Sequence, residues 1–459
     1  METSERAGVP AVGIIASAFH PMALLLAKQA GIARQRLSVY PGVIATDADD
    51  HLVEVARSVL TPEVLRGLTG VEAAEADAPT EGAGGEPRQR MPVAFRGGLD
   101  PVQEYFRERG WSDGLPIIPP TVDRVEAFLR CASRPPEAVL GVLAPERREA
   151  TLVSVAANGV MAGCRPEYMP ILVAIVECLA DPLFRIEDAG STPGWEPLVV
   201  VSGPLVEELD FNAGTGAMRI GRQANSSIGR FTRLYMRNVA GLRIPPGVTD
   251  QAGFGSTFNV AMAEHDAVME RLGWPPFRID RGYSRDETVV TVQSVVNIGS
   301  PAYSHGNDPM EHLSVIVHYL ARAIAPNVAV PSLKRGEGHH LLAMSSSIAE
   351  LFAQHRIGKD EIRRHLYENT VTGAGFLEYV GRQATPFDLH ELVREGRLPR
   401  DYALTHDPER AVRVLLSPES LGIVVAGNPG RNQSRSYIGN HAQGVPVSRA
   451  VEPSGAPTP

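Results

Sequence analysis

The stretch Val160-Met-Ala-Gly-Cys-Arg-Pro-Glu-Tyr-Met169 sets Cys164 just ahead of the apolar run 171–179. Pro166 suits the first turn of a helix, where a missing N–H costs nothing. Glu167 suits the positive end of the helix dipole, and the apolar run supplies a buried body. A thiol at such a start faces converging N–H groups, and Arg165 adds positive charge. The spacing therefore predicts a thiolate-prone Cys164, fit for nucleophilic or redox chemistry. The competing reading makes Cys164 a small buried residue at a tight Gly-Cys corner. Cys131 and Cys178 have no polar company and read as core residues.

A second constellation runs from Asn212 to Arg230, with Gly214, Gly216, Gly221 and Gly229 spaced among Asn212, Thr215, Asn225, Ser226 and Ser227. Glycines let backbone N–H groups approach an anion, and Arg219, Arg222 and Arg230 supply charge. Walker spacing is missing, and Gly214-Thr-Gly216 lacks the third glycine of a dinucleotide fingerprint, so no cofactor is assigned. The segment reads either as a carboxylate- or phosphate-binding loop or as a close-packing loop. Trp111, Asp113 and Gly114 form an Asx-turn ahead of a Pro-rich hinge at 117–121, or a ligand lid with Asp113 inward. Asn432 and Ser434 follow the apolar run 421–427, so they stand at a strand end where α/β folds place ligands.

His305 and His312 bracket Gly306-Asn-Asp-Pro-Met-Glu311. With Asp308 and Glu311 they offer a divalent-metal ligand set; alternatively His305 is an acid/base or substrate-binding group, and Asp308 or Asn307 caps a helix carrying His312. In Gly336-Glu-Gly-His-His340, either histidine faces a site or solvent.

These residues need elements to hold them. Positions 12–16 and 37–40 read as short strands, 22–31 as a helix, and 51–60 and 62–68 as two helices, the second with Thr61 as N-cap. A β-α-β-α order implies a small parallel sheet whose exposed edge leans on the large domain or on a partner. Positions 72–90 are a linker by composition, rich in Ala, Gly, Pro and Glu. Beyond it, helices are expected at 100–110, 122–131, 152–159, 312–323, 347–355 and 359–369, with Asn225 or Ser226 capping one that ends at Arg237. Strands are expected at 197–202, 288–296, 341–344 and 421–427. The fold class is thus α/β: a small partial Rossmann-like unit over 1–70, a flexible linker over 71–94, a large mixed α+β domain over 95–450 that carries the site, and a disordered tail over 451–459.

Composition narrows the function classes. Among 459 residues, 44 basic against 53 acidic side chains give a formal charge of −9, which argues against a nucleic-acid-binding surface. Three cysteines do not make a disulfide framework and fit a reducing compartment. The run 11–27 is broken by His20-Pro21 and lacks a good cleavage site, so it is not read as a signal peptide. With no span apolar enough for a bilayer, the expectation is a soluble, cytoplasmic protein without membrane or nucleic-acid partners.

Several blocks resemble the UGSC-motif (seleno)protein family. In the large domain they are Gly110-Trp-Ser-Asp-Gly-Leu-Pro-Ile-Ile-Pro-Pro-Thr121, the Cys164 segment and the 212–230 segment; at the N-terminus they are Ala11–Ser17, Phe19–Gly31 and Arg36–Gly42. The family is named for a selenocysteine or cysteine in a U/C-Gly-Ser-Cys loop, to which no residue here corresponds. The resemblance implies a His-Gly loop at His305 and a site shared with the Asn/Gly-rich segment. The expectation is an enzyme, or the large subunit of one, using thiol redox or carbon–heteroatom bond chemistry on a small polar, anionic metabolite. Oxidoreductase or lyase chemistry would place Cys164 and His305 in catalysis. Asn212, Gly214, Thr215, Asn225, Ser227, Arg230, Asp113, Asn432 and Ser434 would hold substrate. The alternatives are a non-catalytic scaffold for a cysteine- or selenocysteine-bearing partner, and a metal-assisted lyase or hydrolase using His305 and His312. The chain is expected to pair with a second copy or with such a small subunit.

Overall fold

The computed structural model describes residues 11–17, 20, 23, 36–41, 49–69, 93–190, 194–243, 257–325, 329–384, 386–439 and 444–453. The chain divides into two compact units, Met1–Arg90 and Met91–Pro459. The expected linker and most of the expected helix at 22–31 lie outside the described residues.

In the first unit, strands β1 (Gly13–Ala16) and β2 (Leu37–Tyr40) pair in parallel, Gly13 opposite Leu37 and Ala16 opposite Tyr40. Ser38 Oγ donates to Glu63 Oε2 at 2.8 Å, tying β2 to the helix Thr61–Thr69. Thr61 is not an N-cap, contrary to expectation. Helix Asp49–Val55 runs on through a π-helical turn, Ala56–Leu60, and Thr61 Oγ1 donates back to Ala56 O at 2.7 Å. A hydroxyl that finds a carbonyl in the preceding turn does not need to end the helix there.

The second unit is built on one mixed sheet. Its path runs β12 (Leu421–Val425), β9 (His340–Met344), β13 (Gln433–Gly439), β7 (Val289–Ile298), β5 (Glu196–Ser202) and β6 (Met262–Ala263). Strand β14 (Val447–Ala450) also pairs with β7, and β8 (Ala302–Tyr303) with β13. Two small antiparallel pairs stand apart: β3 (Val139–Leu143) with β4 (Arg148–Thr151), and β10 (Val371–Gly373) with β11 (Ala411–Arg413).

Side chains alternate across the strands, as a period of two requires. Val199, Val201, Val290, Val292 and Val447 join a core with helices α1 (Leu152–Ala162), α2 (Met169–Ala180) and α3 (Gln223–Tyr235). Leu342, Met344, Ile423, Val425 and Ile438 join a second core with α4 (Pro309–Ile324), α5 (Ser346–Gln354) and α6 (Lys359–Asn369). Leu198, Val200, Leu341, Val424 and Tyr437, from alternate positions, form a third with Ala217 and Phe277. Helix α2 is apolar at every position but Glu177 and buried at ten, which makes it the spine of the first core.

Helix α3 begins at Gln223, ahead of the expected caps. Ser226 accepts the Gly221 N–H at 3.2 Å from within the first turn, and Asn225 is committed elsewhere. Gly229 is the point of closest approach on α3: a Cβ there would stand 2.4 Å from the Asn259 carbonyl carbon. The expected disordered tail over 451–459 is corrected at its start, where residues 451–453 are held in place, and the rest lies outside the described residues. Val451 N–H donates to Thr288 O at 2.7 Å, and Glu452 accepts from Ser133 Oγ and Arg134 Nε at 2.5 and 3.2 Å. Among the described residues, no single helix is long and apolar enough to cross a membrane.

Candidate functional site

Helix α3 organises the site because one of its faces carries Ser227, Arg230 and Arg233, with Arg237 following in the π-helical turn Met236–Ala240. Residues three and four apart share a helix face, so these groups form one row. The row grips the entry segment. Arg230 donates from Nε and Nη2 to the two Asp113 carboxylate oxygens, each at 2.9 Å, and from Nη2 to Pro116 O at 2.8 Å. Arg237 Nε donates to Gly110 O at 2.7 Å, and Asn238 Nδ2 to Trp111 O at 3.1 Å. Burial pushes the Asp113 carboxyl upward, but its bonds to Arg230 outweigh this and hold it below the ordinary range. Asp113 is therefore a fixed anion pointing inward, while Ser112 Oγ closes the turn onto Leu115 O at 2.6 Å.

Behind this strap lies a cavity of about 260 Å³, walled by Asp113, Trp195, Glu196, Arg233, Arg237 and Asn259 among others. Arg233 Nη1 donates to Glu196 Oε1 at 2.5 Å and also to Thr257 Oγ1. Two wall groups lack a hydrogen-bond partner among the described residues: Trp195 Nε1, a donor on a side chain only 2% exposed, and Asn259 Oδ1, an acceptor. A buried polar atom without a partner costs about 1–3 kcal/mol, so an unmet donor and an unmet acceptor on residues that line one cavity are what a ligand entering it would relieve.

Cys164 stands beside this row, and its environment corrects the expectation of an acidic thiol. It follows Gly163, the left-handed C-cap of α1 (φ 83°), and its N–H goes to Gly159 O at 3.0 Å. That is the carbonyl end of a helix, where the dipole opposes a thiolate. The next helical turn is only the short 3₁₀ segment Pro166–Tyr168. Burial pushes the thiol up to about 12, and contacts with Ser227 and Arg230 offset it only in part. Arg165 contributes no charge to the thiol; its guanidinium lies 4.8 Å over the Tyr168 ring. Cys178 is likewise pushed up to about 12, so Cys164 is not set apart by acidity.

The Asn/Gly segment folds into a structural knot rather than an open anion cradle. Asn225, fully buried, accepts the Asn212 N–H at 2.8 Å and donates to Asn212 O and Ala261 O at 3.1 and 2.9 Å. The Asn212 side chain accepts Gly214 N–H at 3.0 Å and donates to Thr215 O at 2.9 Å. Ser227 Oγ donates to Gln223 O at 2.6 Å. Of the expected substrate-binding residues, Asp113 reaches the cavity wall, with Arg230 and Ser227 placed behind it by α3. Asn212, Gly214, Thr215 and Asn225 satisfy one another.

His305, Asn432 and Ser434 belong to another neighbourhood. Ser434 pairs with Ala302 and Met344 inside the sheet, and Ser304 N–H donates to Asn432 O at 3.3 Å. His305 is exposed on the following loop, and no hydrogen bond joins it to Cys164 or Asp113. His312, fully buried, bonds Ser304 Oγ through Nδ1 at 2.6 Å and Gly306 O through Nε2 at 3.1 Å, so both ring nitrogens are occupied. Asp308 caps α4 by accepting the Met310 N–H at 2.9 Å. His312 and Asp308 are thus committed to fixing the loop and capping α4, and no group of three or more candidate ligands occurs among the described residues.

Trp195, Glu196, Arg233, Arg237 and Asn259 were not anticipated. Arg233 and Arg237 had a signal, since they continue the helical spacing from Arg230; Trp195 and Asn259 had none, because only the tertiary fold brings them there.

A search among known proteins adds one relation. Residues 3–70 match the model of the UGSC family. No curated protein and no solved structure matches the chain. The UGSC match lies within the first unit and stops short of the 110–121, 160–169 and 212–230 blocks. The matched residues contain no cysteine; the chain's three are Cys131, Cys164 and Cys178.

Proposed function

We propose that the second unit binds a small anionic metabolite in the α3 cavity, as the substrate-holding part of an enzyme. The observation that carries this reading is the pair of buried polar atoms without a partner among the described residues, Trp195 Nε1 and Asn259 Oδ1, on residues of a wall that also presents Arg233 and Arg237. A carboxylate bearing a hydroxyl or amino group would complement it: the anion meets the guanidinium groups, an acceptor meets the indole N–H, and a donor meets the carboxamide oxygen. The buried Cys164 thiol favours assigning the reactive sulfur to a small cysteine- or selenocysteine-bearing partner, with this chain as its substrate-binding scaffold. The absence of a cysteine from the residues matched to the UGSC family is in keeping with that division. The free thiols support a reducing, cytoplasmic setting.

A second reading keeps Cys164 as the reacting thiol, and its contacts with Ser227 and Arg230 are in its favour. It requires a conformational step that uncovers the sulfur. Calorimetric titration of the full chain with three- to six-carbon hydroxy- and amino-carboxylates tests the binding proposal. At least one should bind, and Asn259→Leu should weaken it about tenfold, the worth of one buried hydrogen bond. If none binds, or the variant binds as well as the native chain, this assignment is wrong.

A further inference from the structure

A second cavity, of about 490 Å³, opens where β9 and β12 begin, and the site above makes no use of it. Its size is that of a small-metabolite pocket. His340, only 3% exposed, lines it together with Gln293, His339, Arg281, Arg363 and Arg364. His340 Nδ1 accepts the Gly439 N–H at 3.3 Å, which fixes the proton of the neutral ring on Nε2. Burial drives the ring's pKa down to about 3, so it serves as a neutral N–H donor at physiological pH. Gln293 Nε2 is spent on His339 O at 2.9 Å.

Charge on the wall is unevenly committed. Asp280 holds the buried Lys359 and also Arg363, the latter at 2.5 Å, while Asp360 holds Arg363 at 2.8 Å. Arg281 hydrogen-bonds only neutral partners among the described residues, Ser448 Oγ at 3.0 Å and Pro446 O at 2.6 Å. Arg364 is exposed and forms no ion pair among the described residues. Glu419, also exposed, is the remaining acid on the wall. Two guanidinium groups are thus left facing one carboxylate, with an imidazole N–H between the strands behind them. Planar guanidinium forks match carboxylate and phosphate oxygens, so the surplus has a definite chemistry.

We propose that this cavity is a second ligand site, taking a small metabolite with two or more oxyanion groups, held by Arg281 and Arg364 and seated on His340 Nε2–H. It stands independently of the α3 cavity. The test titrates the full chain with tricarballylate, a tricarboxylate without the hydroxyl or amino group that the α3 cavity calls for, and with inorganic pyrophosphate, comparing the native protein with Arg281→Met, Arg364→Ala and, as a control in the other cavity, Arg233→Met. Preference for tricarballylate or for pyrophosphate reports whether the natural ligand presents carboxylate or phosphate oxygens. At least one probe should bind, with Kd raised tenfold or more in both Arg281→Met and Arg364→Ala and unchanged in Arg233→Met. Arg364 holds no partner among the described residues, so its variant remains informative even if Arg281→Met unfolds. Absence of binding by both probes, affinity that survives Arg364→Ala, or affinity lost only in Arg233→Met would overturn the proposal. That last result would leave the α3 assignment standing.

Discussion

Arg230 and Asp113, 117 residues apart, meet through two parallel hydrogen bonds of 2.9 Å, with side chains 20% and 15% exposed. The fork-to-fork geometry ties the entry segment to helix α3 and turns a Gly-rich loop into one fixed wall of the cavity. Asp113→Asn keeps the shape but loses the charge, and should lower stability by about 2 kcal/mol. The sign of its pH dependence follows from the depressed carboxyl. The stabilisation is present above the unfolded carboxyl's pKa of about 3.9 and is lost as pH falls through the lower folded value. Denaturant unfolding of native and variant protein at pH 7 and pH 3 should show the difference shrinking in acid.

Cys164 is expected to be inert while the protein is folded. With its thiol raised to about 12, iodoacetamide at pH 8 should leave it unmodified in native protein and modify it after unfolding. Peptide mass mapping reads both states. Rapid native labelling with an inflection below the ordinary thiol value of about 8.5 would restore the nucleophile reading.

The two histidines of the 305–312 segment should separate cleanly. His312→Ala removes both anchors of the Ser304–Gly306 loop and opens a buried site, costing about 2–4 kcal/mol. His305→Ala, at an exposed position, should stay within about 0.5 kcal/mol of the native protein. Thermal melts of the two variants check the contrast, and chelator treatment should move neither.

His340 should make the second unit acid-sensitive. Its folded pKa, about 3, lies below the unfolded value near 6.5, so the unfolded state binds the extra proton between those limits. Stability therefore falls as pH drops from about 6.5 towards 3, at up to about 1.4 kcal/mol per pH unit from this group. His340→Gln, which keeps an acceptor for the Gly439 N–H, should flatten that slope in urea titrations across the same range.

Much of the fold was legible because its elements carry strong local signals. Lys359–Asn369 begins and ends as its pattern predicts, and the β-branched run at Pro197–Ser202 is a buried strand. Site chemistry was legible only where it follows a local period. Arg230 and Asp113 were recognised, but their pairing was not, since nothing in the sequence links positions 113 and 230. Cys164 was misjudged for a related reason. Its sequence neighbours suggested a helix start, whereas Gly163 closes the preceding helix and burial by distant residues decides the thiol's charge. Asn212 and Asn225 have the composition of an anion loop, yet the Asn212 amide is spent on the Gly214 and Thr215 backbone and the Asn225 amide on that of Asn212 and Ala261, a choice fixed only when residues 212, 225 and 261 converge.

The most direct test of the binding account follows the Trp195 indole N–H by NMR in protein labelled with ¹⁵N-tryptophan. The chain has three tryptophans, and Trp195→Phe assigns the relevant signal by its loss. That N–H has no acceptor among the described residues, so adding a small hydroxy- or amino-carboxylate should move it downfield while the Trp111 and Trp274 signals stay in place. A Trp195 signal that stays fixed across the whole set of carboxylates would contradict the claim that this cavity is where the chain holds its metabolite.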